Sequence, residues 1–352
     1  MGWGSLLAFV MLTNPAAAIG IISPTFVDGF VAGGLPLAWA SRMAAAEFFA
    51  IAGVMLCAPL FITRIDRRLT GAVGIIVAAI AQLLSLQTDS LGVAILCRAA
   101  AGAGEGALSA VAIASLAASP NPDRAFGIAV SSNKVAGTLL LALIAWAADL
   151  WPASGAVVVA AIFIAANILF VPALPAQPAK KIQAPSSQHI GRHYSAAFGI
   201  GGMFLLAIGF GVVWPLTGQI GTASGVSPST LAFAYSIVGF GGIAGGAAAA
   251  TLAIRLGRLV PLVFGTLSMA LCLALIPTAL FAPAVVMTLF FWAFNIPYYV
   301  GLQALFDPSG RLAVLTSAMI PFGIAGGQII AGQIAMHFAI ATVTIVGGAA
   351  LI

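Results

Sequence analysis

The sequence has very little charge. Of its 352 residues only 13 are Lys or Arg and 8 are Asp or Glu, 6% in all, where a soluble domain carries roughly 25%. So few charges cannot cover a water-facing surface, which excludes a soluble enzyme, a nucleic-acid-binding domain and a disordered chain. Cysteine is scarce too. Cys57, Cys97 and Cys272 are odd in number and form no CxxC, so no disulfide framework is expected and they read as small packing residues. The histidines are His189, His193 and His337, too few for much acid–base chemistry. No H-E-x-x-H run offers zinc ligands. The i, i+4 spacing of His189 and His193 falls beside Pro185 and two serines, in a stretch that reads as linker rather than helix. No G-x-x-x-x-G-K-[ST] loop occurs, which excludes ATP-driven transport by this chain. No cofactor or metal is implied. The alternating strands of a membrane β-barrel are missing as well.

What is present is apolar. Hydrophobic residues make up 62% of the chain, with 40 Gly and 19 Pro, both commoner in membrane helices than in soluble ones. One membrane-spanning helix needs about 20 apolar residues. The runs predict twelve spans, at 6–30, 38–62, 70–88, 91–118, 124–147, 153–174, 196–219, 229–252, 259–279, 283–305, 312–333 and 336–352. The first is too long, and lacks the basic start, for a cleaved signal peptide. The expectation is an all-α membrane protein with twelve transmembrane helices. The one long polar stretch, 175–195, reads as a cytoplasmic linker. It separates an N-terminal six-helix bundle at 1–174 from a C-terminal one at 196–352.

The basic residues orient the chain. With the N-terminus inside, the inner loops hold Arg64, Arg67, Arg68, Arg124, Lys180, Lys181, Arg192, Arg255, Arg258 and Arg311, ten of the thirteen. The outer loops hold Asp28, Asp89 and Asp149, with Arg42 at the outer end of span 2. This positive-inside bias predicts two cytoplasmic termini. The Ala- and Gly-rich composition and short loops suggest a bacterial inner membrane.

The two halves share a landmark. After span 2 the chain reads P-L-F-I-T-R-I-D-R-R (59–68), and after span 8 A-T-L-A-I-R-L-G-R-L (250–259). Arg64/Arg67 and Arg255/Arg258 repeat Arg-x-x-Arg about half a chain apart, as expected of two parallel structural repeats. At these loops the chain resembles the major facilitator superfamily, whose loop between spans 2 and 3 runs G-x-L-a-D-R-x-G-R-R. Arg64, Arg67 and Arg68 match its basic positions. Thr63 stands where the family has Asp, Pro59 at its first Gly and Asp66 at its second; the second copy has Ile254 in place of the Asp. The resemblance makes Arg64, Arg67, Arg68, Arg255 and Arg258 cytoplasmic gating-loop residues. Span 4 reads R-A-A-A-G-A-G-E-G (98–106) and matches the family's R-x-x-x-G-x-G-x-G at Arg98, Gly102, Gly104 and Gly106. The glycines read first as close packing positions. Of the Gly/Pro-rich span 5 motif of the family's antiporters only Gly137 remains. The family resemblance implies two pseudo-symmetric bundles, a monomer, and a cavity lined by spans 1, 4, 7 and 10.

Ionisable groups inside a bilayer cost ~2.5–3.5 kcal/mol each on insertion scales, so they mark function or deliberate pairing. They are Glu47, Arg98, Glu105 and Lys134, all in the N-terminal half. Glu105 and Lys134 fall at similar depth on spans 4 and 5 and are expected to pair. Glu47 and Arg98 form a second layer. Either they couple a substrate to protons or they are structural ion pairs. In the C-terminal half, Trp214, Asn295, Tyr298 and Tyr299 are candidate substrate contacts, and Asn295 with Pro297 is expected to break or kink span 10. The expected function is secondary, proton-coupled transport of a small organic solute by alternating access. An organic anion held by Lys134 or Arg98 is favoured slightly over a lipophilic cation, drug or lipid-like amphiphile. A membrane sensor or scaffold without transport is the alternative of another class. Protons, the solute and membrane lipids are the expected partners; nucleic acid is not.

Overall fold

A computed structural model describes residues 2–60, 64–88, 90–117, 122–175, 190–252, 259–306 and 311–352. Among these residues every regular element is helical. The first six helices are α1 (Trp3–Ala32), α2 (Leu37–Cys57), α3 (Arg67–Leu84), α4 (Leu91–Ala117), α5 (Pro122–Leu150) and α6 (Gly155–Ala166), the last continued by a 3-10 segment, Asn167–Ala173. Then come α7 (Ile190–Val213), a 3-10 turn at Trp214–Leu216, α8 (Thr217–Ala223), α9 (Pro228–Leu252), α10 (Leu259–Leu275), α11 (Phe281–Phe306), α12 (Arg311–His337) and α13 (Thr342–Ala349). Ten helical segments are long and apolar enough to cross a membrane. The expected ninth and twelfth spans correspond to shorter helices: α10 has 17 residues and α13 has 8.

The helices divide into two compact units. Unit 1 is Met1–Ile22 with Ala46–Pro185; unit 2 is Ser23–Ala45 with Ser186–Ile352. The stretch Ser23–Ala45, which sequence order assigns to the N-terminal bundle, thus groups with the second unit.

Large apolar side chains fill the core, among them Phe9, Leu12, Phe210 and Trp214, but others cover the outside. Helix α3 shows the division. Gly71, Gly74, Ile75, Ala78, Ala81 and Gln82 face inward, while Val73, Ile76, Val77, Ile80, Leu83 and Leu84 are exposed. In water such a stripe would be an aggregation surface. In lipid it costs nothing, and helix association is left to close packing and hydrogen bonds. Cys57 belongs to that outer surface and is exposed rather than packed.

Glycines set the spacing inside unit 1. A Cβ on Gly102 would collide with the Glu47 backbone, and one on Gly106 would lie 2.8 Å from the Ile51 carbonyl oxygen. Glu47 and Ile51 are four apart on α2, as Gly102 and Gly106 are on α4, so the two backbones touch along one line. Gly104 points to the other side of α4, where a Cβ would come within 3.0 Å of Ala78 on α3. Unit 2 repeats the device: Gly241 and Gly245 of α9 leave room for the α11 backbone at Val286 and Phe290.

Pro297 does not interrupt α11, which runs unbroken from Phe281 to Phe306. Neighbouring helices in a membrane protein hold such a helix together after one backbone donor is lost.

Candidate functional site

The glycine-set contact brings four polar side chains of unit 1 together. Glu47 lies on α2, Gln82 on α3, and Arg98 and Glu105 on α4; all four are completely buried. Arg98 Nη2 forms an ion pair with Glu47 Oε2, and Arg98 Nη1 donates to Gln82 Oε1. The Gln82 amide nitrogen donates to Glu47 Oε1 and, at 3.4 Å, to Glu105 Oε1. The Glu47 and Glu105 carboxyl groups are neighbours. Arg98 and Glu105 share one face of α4 because they are seven residues apart. Gly102 lies between them and lets α2 in.

The chemistry of this cluster is set by its charge count. Two carboxyl groups meet one guanidinium, with a neutral amide as bridge. In a dry interior a net charge is expensive. The cluster is neutral when the two acids carry one proton between them, and gains a negative charge when that proton leaves.

The expected Glu105–Lys134 pair is not formed. Glu105 turns to Gln82 and Glu47 instead, because α4 presents it to the α2–α3 side. Lys134 is buried on α5 and makes no ion pair among the described residues, where Arg98–Glu47 is the one salt bridge. Next to Lys134, Ser132 and Asn133 join α5 to α1. Asn14 Nδ2 donates to Ser132 Oγ at 3.1 Å, Ser132 Oγ donates back to Asn14 Oδ1 at 3.2 Å, and Thr13 donates to Asn133 Oδ1 at 2.9 Å. One turn further on, Gly137 fits against Ile21 of α1.

In unit 2 the candidate contact residues face different neighbours. Asn295 is fully buried against Gly265 of α10, and among the described residues neither atom of its amide finds a hydrogen-bond partner. The Tyr298 hydroxyl donates to the Ala249 carbonyl of α9 at 3.5 Å. Tyr299 lies against Gly202 of α7. Trp214 stacks on Phe210 at 5.2 Å, and Phe210 on Trp292 at 4.2 Å. His337 sits in the last turn of α12, exposed.

The residues expected in the cytoplasmic loops divide likewise. Arg68 donates from Nε and Nη2 to the Leu174 carbonyl, at 3.2 and 2.8 Å, and from Nη2 to that of Pro172 at 3.1 Å. It therefore caps the 3-10 segment that ends the α6 region. Arg67 lies over the Phe9 ring, 5.7 Å from its centroid. Arg64 is exposed. Asp66, which replaces a glycine of the family pattern, is the N-cap of α3 and accepts from the backbone nitrogens of Arg68 and Leu69 at 2.8 and 2.9 Å. Thr63, Arg255 and Arg258 lie outside the described residues, as does most of the linker.

Two members of these networks escape a reading of charge alone. Gln82 joins every other residue of the unit 1 cluster, and its only sequence signal is a lone amide within an apolar span. Asp28 is not in an outer loop but inside α1, in a part that belongs to unit 2. It accepts from Gln219 Nε2 of α8 at 2.9 Å, and Gly218 leaves room for its carboxylate.

No family model matches the sequence, and no curated protein matches it either. Solved structures do match. A point mutant of the nucleoside transporter NupG superposes over 98% of this chain and 96% of its own with a TM-score of 0.75, at 16% identity. A bacterial homologue of the human lysosomal transporter Spinster, solved inward-facing and unoccupied, covers 95% of this chain and 81% of its own with a TM-score of 0.65, at 14% identity. Both are transporters, and the chain shares their fold, as its resemblance to the major facilitator superfamily implies.

Proposed function

We propose that the chain is a secondary active transporter that moves a small organic solute by alternating access. In this reading twelve spans form two six-helix bundles in a bacterial inner membrane, with both termini cytoplasmic, and the protein works as a monomer. Coupling is to protons. The observation that carries it is the closed cluster of Glu47, Gln82, Arg98 and Glu105, fully buried on three helices of unit 1. Its two acids and one base make its charge depend on a single proton. A ligand shifts an equilibrium only through unequal affinity for its states, and a proton that neutralises a buried charge is such a ligand. Gln82 transmits the change, since the amide nitrogen that contacts both acids belongs to the group that accepts from Arg98.

The test separates movement of solute from coupling. The protein is reconstituted into vesicles and screened with organic anions, nucleosides and lipophilic cations for uphill uptake under an imposed pH gradient. It is also assayed for exchange of solute without a gradient. Glu105→Gln should keep exchange and reduce the gradient-driven part at least about tenfold. A Glu105→Gln protein that still concentrates solute like the wild type refutes proton coupling through this cluster. No solute flux in either assay, for any class, supports the sensor or scaffold alternative.

A further inference from the structure

We infer that Lys134 is the anchor for the anionic group of the transported solute, a carboxylate or a phosphate monoester. This deepens the transporter reading and rests on it. The other intramembrane charges of unit 1 are already engaged. Arg98 is engaged by Glu47 and Gln82, and Glu105 by Gln82. The acid expected to neutralise Lys134 is turned toward Gln82 and Glu47 instead and forms no pair with it. Among the described residues no other carboxylate reaches Lys134, whose side chain is nine-tenths buried.

The polar groups next to Lys134 do not take the acid's place. Ser132 and Asn133 are its chain neighbours, but their hydrogen bonds run to Asn14 and Thr13 of α1. Thr138, one turn on, donates to the Lys134 backbone carbonyl at 2.8 Å and leaves the ammonium untouched. An ammonium is a compact, strongly hydrated charge with three donors. Among the described residues no group satisfies them, and intramembrane ionisable groups mark substrate and ion pathways. A bound anion supplies both the missing charge and the acceptors. A neutral solute supplies acceptors but not the charge, and a cation would be repelled.

Substrate binding and proton coupling thus fall to separate groups. The cluster around Arg98 is balanced by its own members and needs only a proton. Lys134 lies outside it and needs an external anion. The substrate anchor is thus expected to be removable without removing the coupling cluster.

Thermal stability of the purified full-length protein tests this. The probes are benzoate, succinate and glycerol 3-phosphate, against uridine and tetraphenylphosphonium. At least one anion should stabilise the wild type, and Lys134→Gln should weaken its binding roughly 10- to 100-fold, the scale of one charge-assisted hydrogen bond. Lys134→Arg should restore part of it. Without ligand, Lys134→Met should be as stable as the wild type or more so, since it removes an uncompensated buried charge; a lysine locked in a structural ion pair would give a large loss. Carboxylates and phosphate monoesters are compared directly, and whichever binds names the class. Anion binding unchanged in Lys134→Gln overturns the inference, as does stabilisation by uridine or tetraphenylphosphonium alone. Lys134-dependent anion binding without any flux in vesicles would sustain the anchor while defeating the transporter reading.

Discussion

Arg98 and Glu47 form an ion pair with both side chains wholly inside the protein, one on α4 and the other on α2. Pairs of this kind are costly to break from one side, by about 3–5 kcal/mol, because the survivor is left charged and unpaired. Here the two sides are not equivalent. Arg98→Met leaves two adjacent acids without a cation and should lose about 3–5 kcal/mol. Glu47→Gln leaves Arg98 facing Glu105, one charge of each sign, and should lose only about 1–2 kcal/mol. Unfolding in detergent at constant pH ranks the two; equal losses would mean that Glu105 does not replace Glu47.

The second prediction concerns the glycines beside that pair. A methyl at Gly102 has nowhere to go but into the Glu47 backbone. Backbone atoms cannot swing aside as a side chain can, so Gly102→Ala should cost about 2–3 kcal/mol, the upper part of the range for overpacking. Gly53 and Gly246 have nothing within 4 Å of an added Cβ. Gly53→Ala and Gly246→Ala should be neutral or gain roughly 0.4–1 kcal/mol. Thermal unfolding of the three variants side by side distinguishes close packing from a general need for helix flexibility, which would make all three harmful.

These glycines also show what was legible in the sequence. The all-helical membrane class was, because length and apolar runs act over whole spans and survive errors of several residues. The pairing Arg98–Glu47 could be anticipated from depth. The partner of Glu105 could not. Depth along a helix is read from residue number, but the direction a side chain faces depends on which neighbour comes close, and Gly102, Gly104 and Gly106 decide that by admitting α2 on one side and α3 on the other. Gln82 and Asp28 were missed for related reasons. An uncharged amide stands out weakly in a hydropathy pattern. An acid near a span's end looks like a loop residue until the helix is seen to run past it to Ala32.

Asp66 gives a third prediction. It occupies a family glycine position yet closes the start of α3, accepting from two backbone nitrogens. Helix N-caps of this kind are worth about 0.5–2 kcal/mol over alanine. Asp66→Ala should lose that amount, Asp66→Asn much less, and Asp66→Gly, the residue of the pattern it resembles, only a few tenths. The order of melting temperatures checks it. If Asp66→Asn is as damaging as Asp66→Ala, the carboxylate acts through charge rather than as a cap.

The last prediction tests the tie within unit 2 between Asp28 and Gln219. The 2.9 Å hydrogen bond links the C-terminal part of α1 to α8, and Gly218 is the residue that lets the carboxylate approach. A hydrogen bond to a charged group contributes about 1.5–3 kcal/mol. A double-mutant cycle with Asp28→Ala and Gln219→Ala should return a coupling energy in that range, since the two side chains touch directly. Gly218→Ala should lower stability by a similar amount, because its methyl would occupy the space of the Asp28 carboxylate. Asp28→Asn keeps an oxygen that can accept from Gln219 and should lose less than Asp28→Ala. If the cycle gives a coupling near zero while Gly218→Ala is still destabilising, the close approach of α1 and α8 is maintained by shape alone and the hydrogen bond merely follows from it.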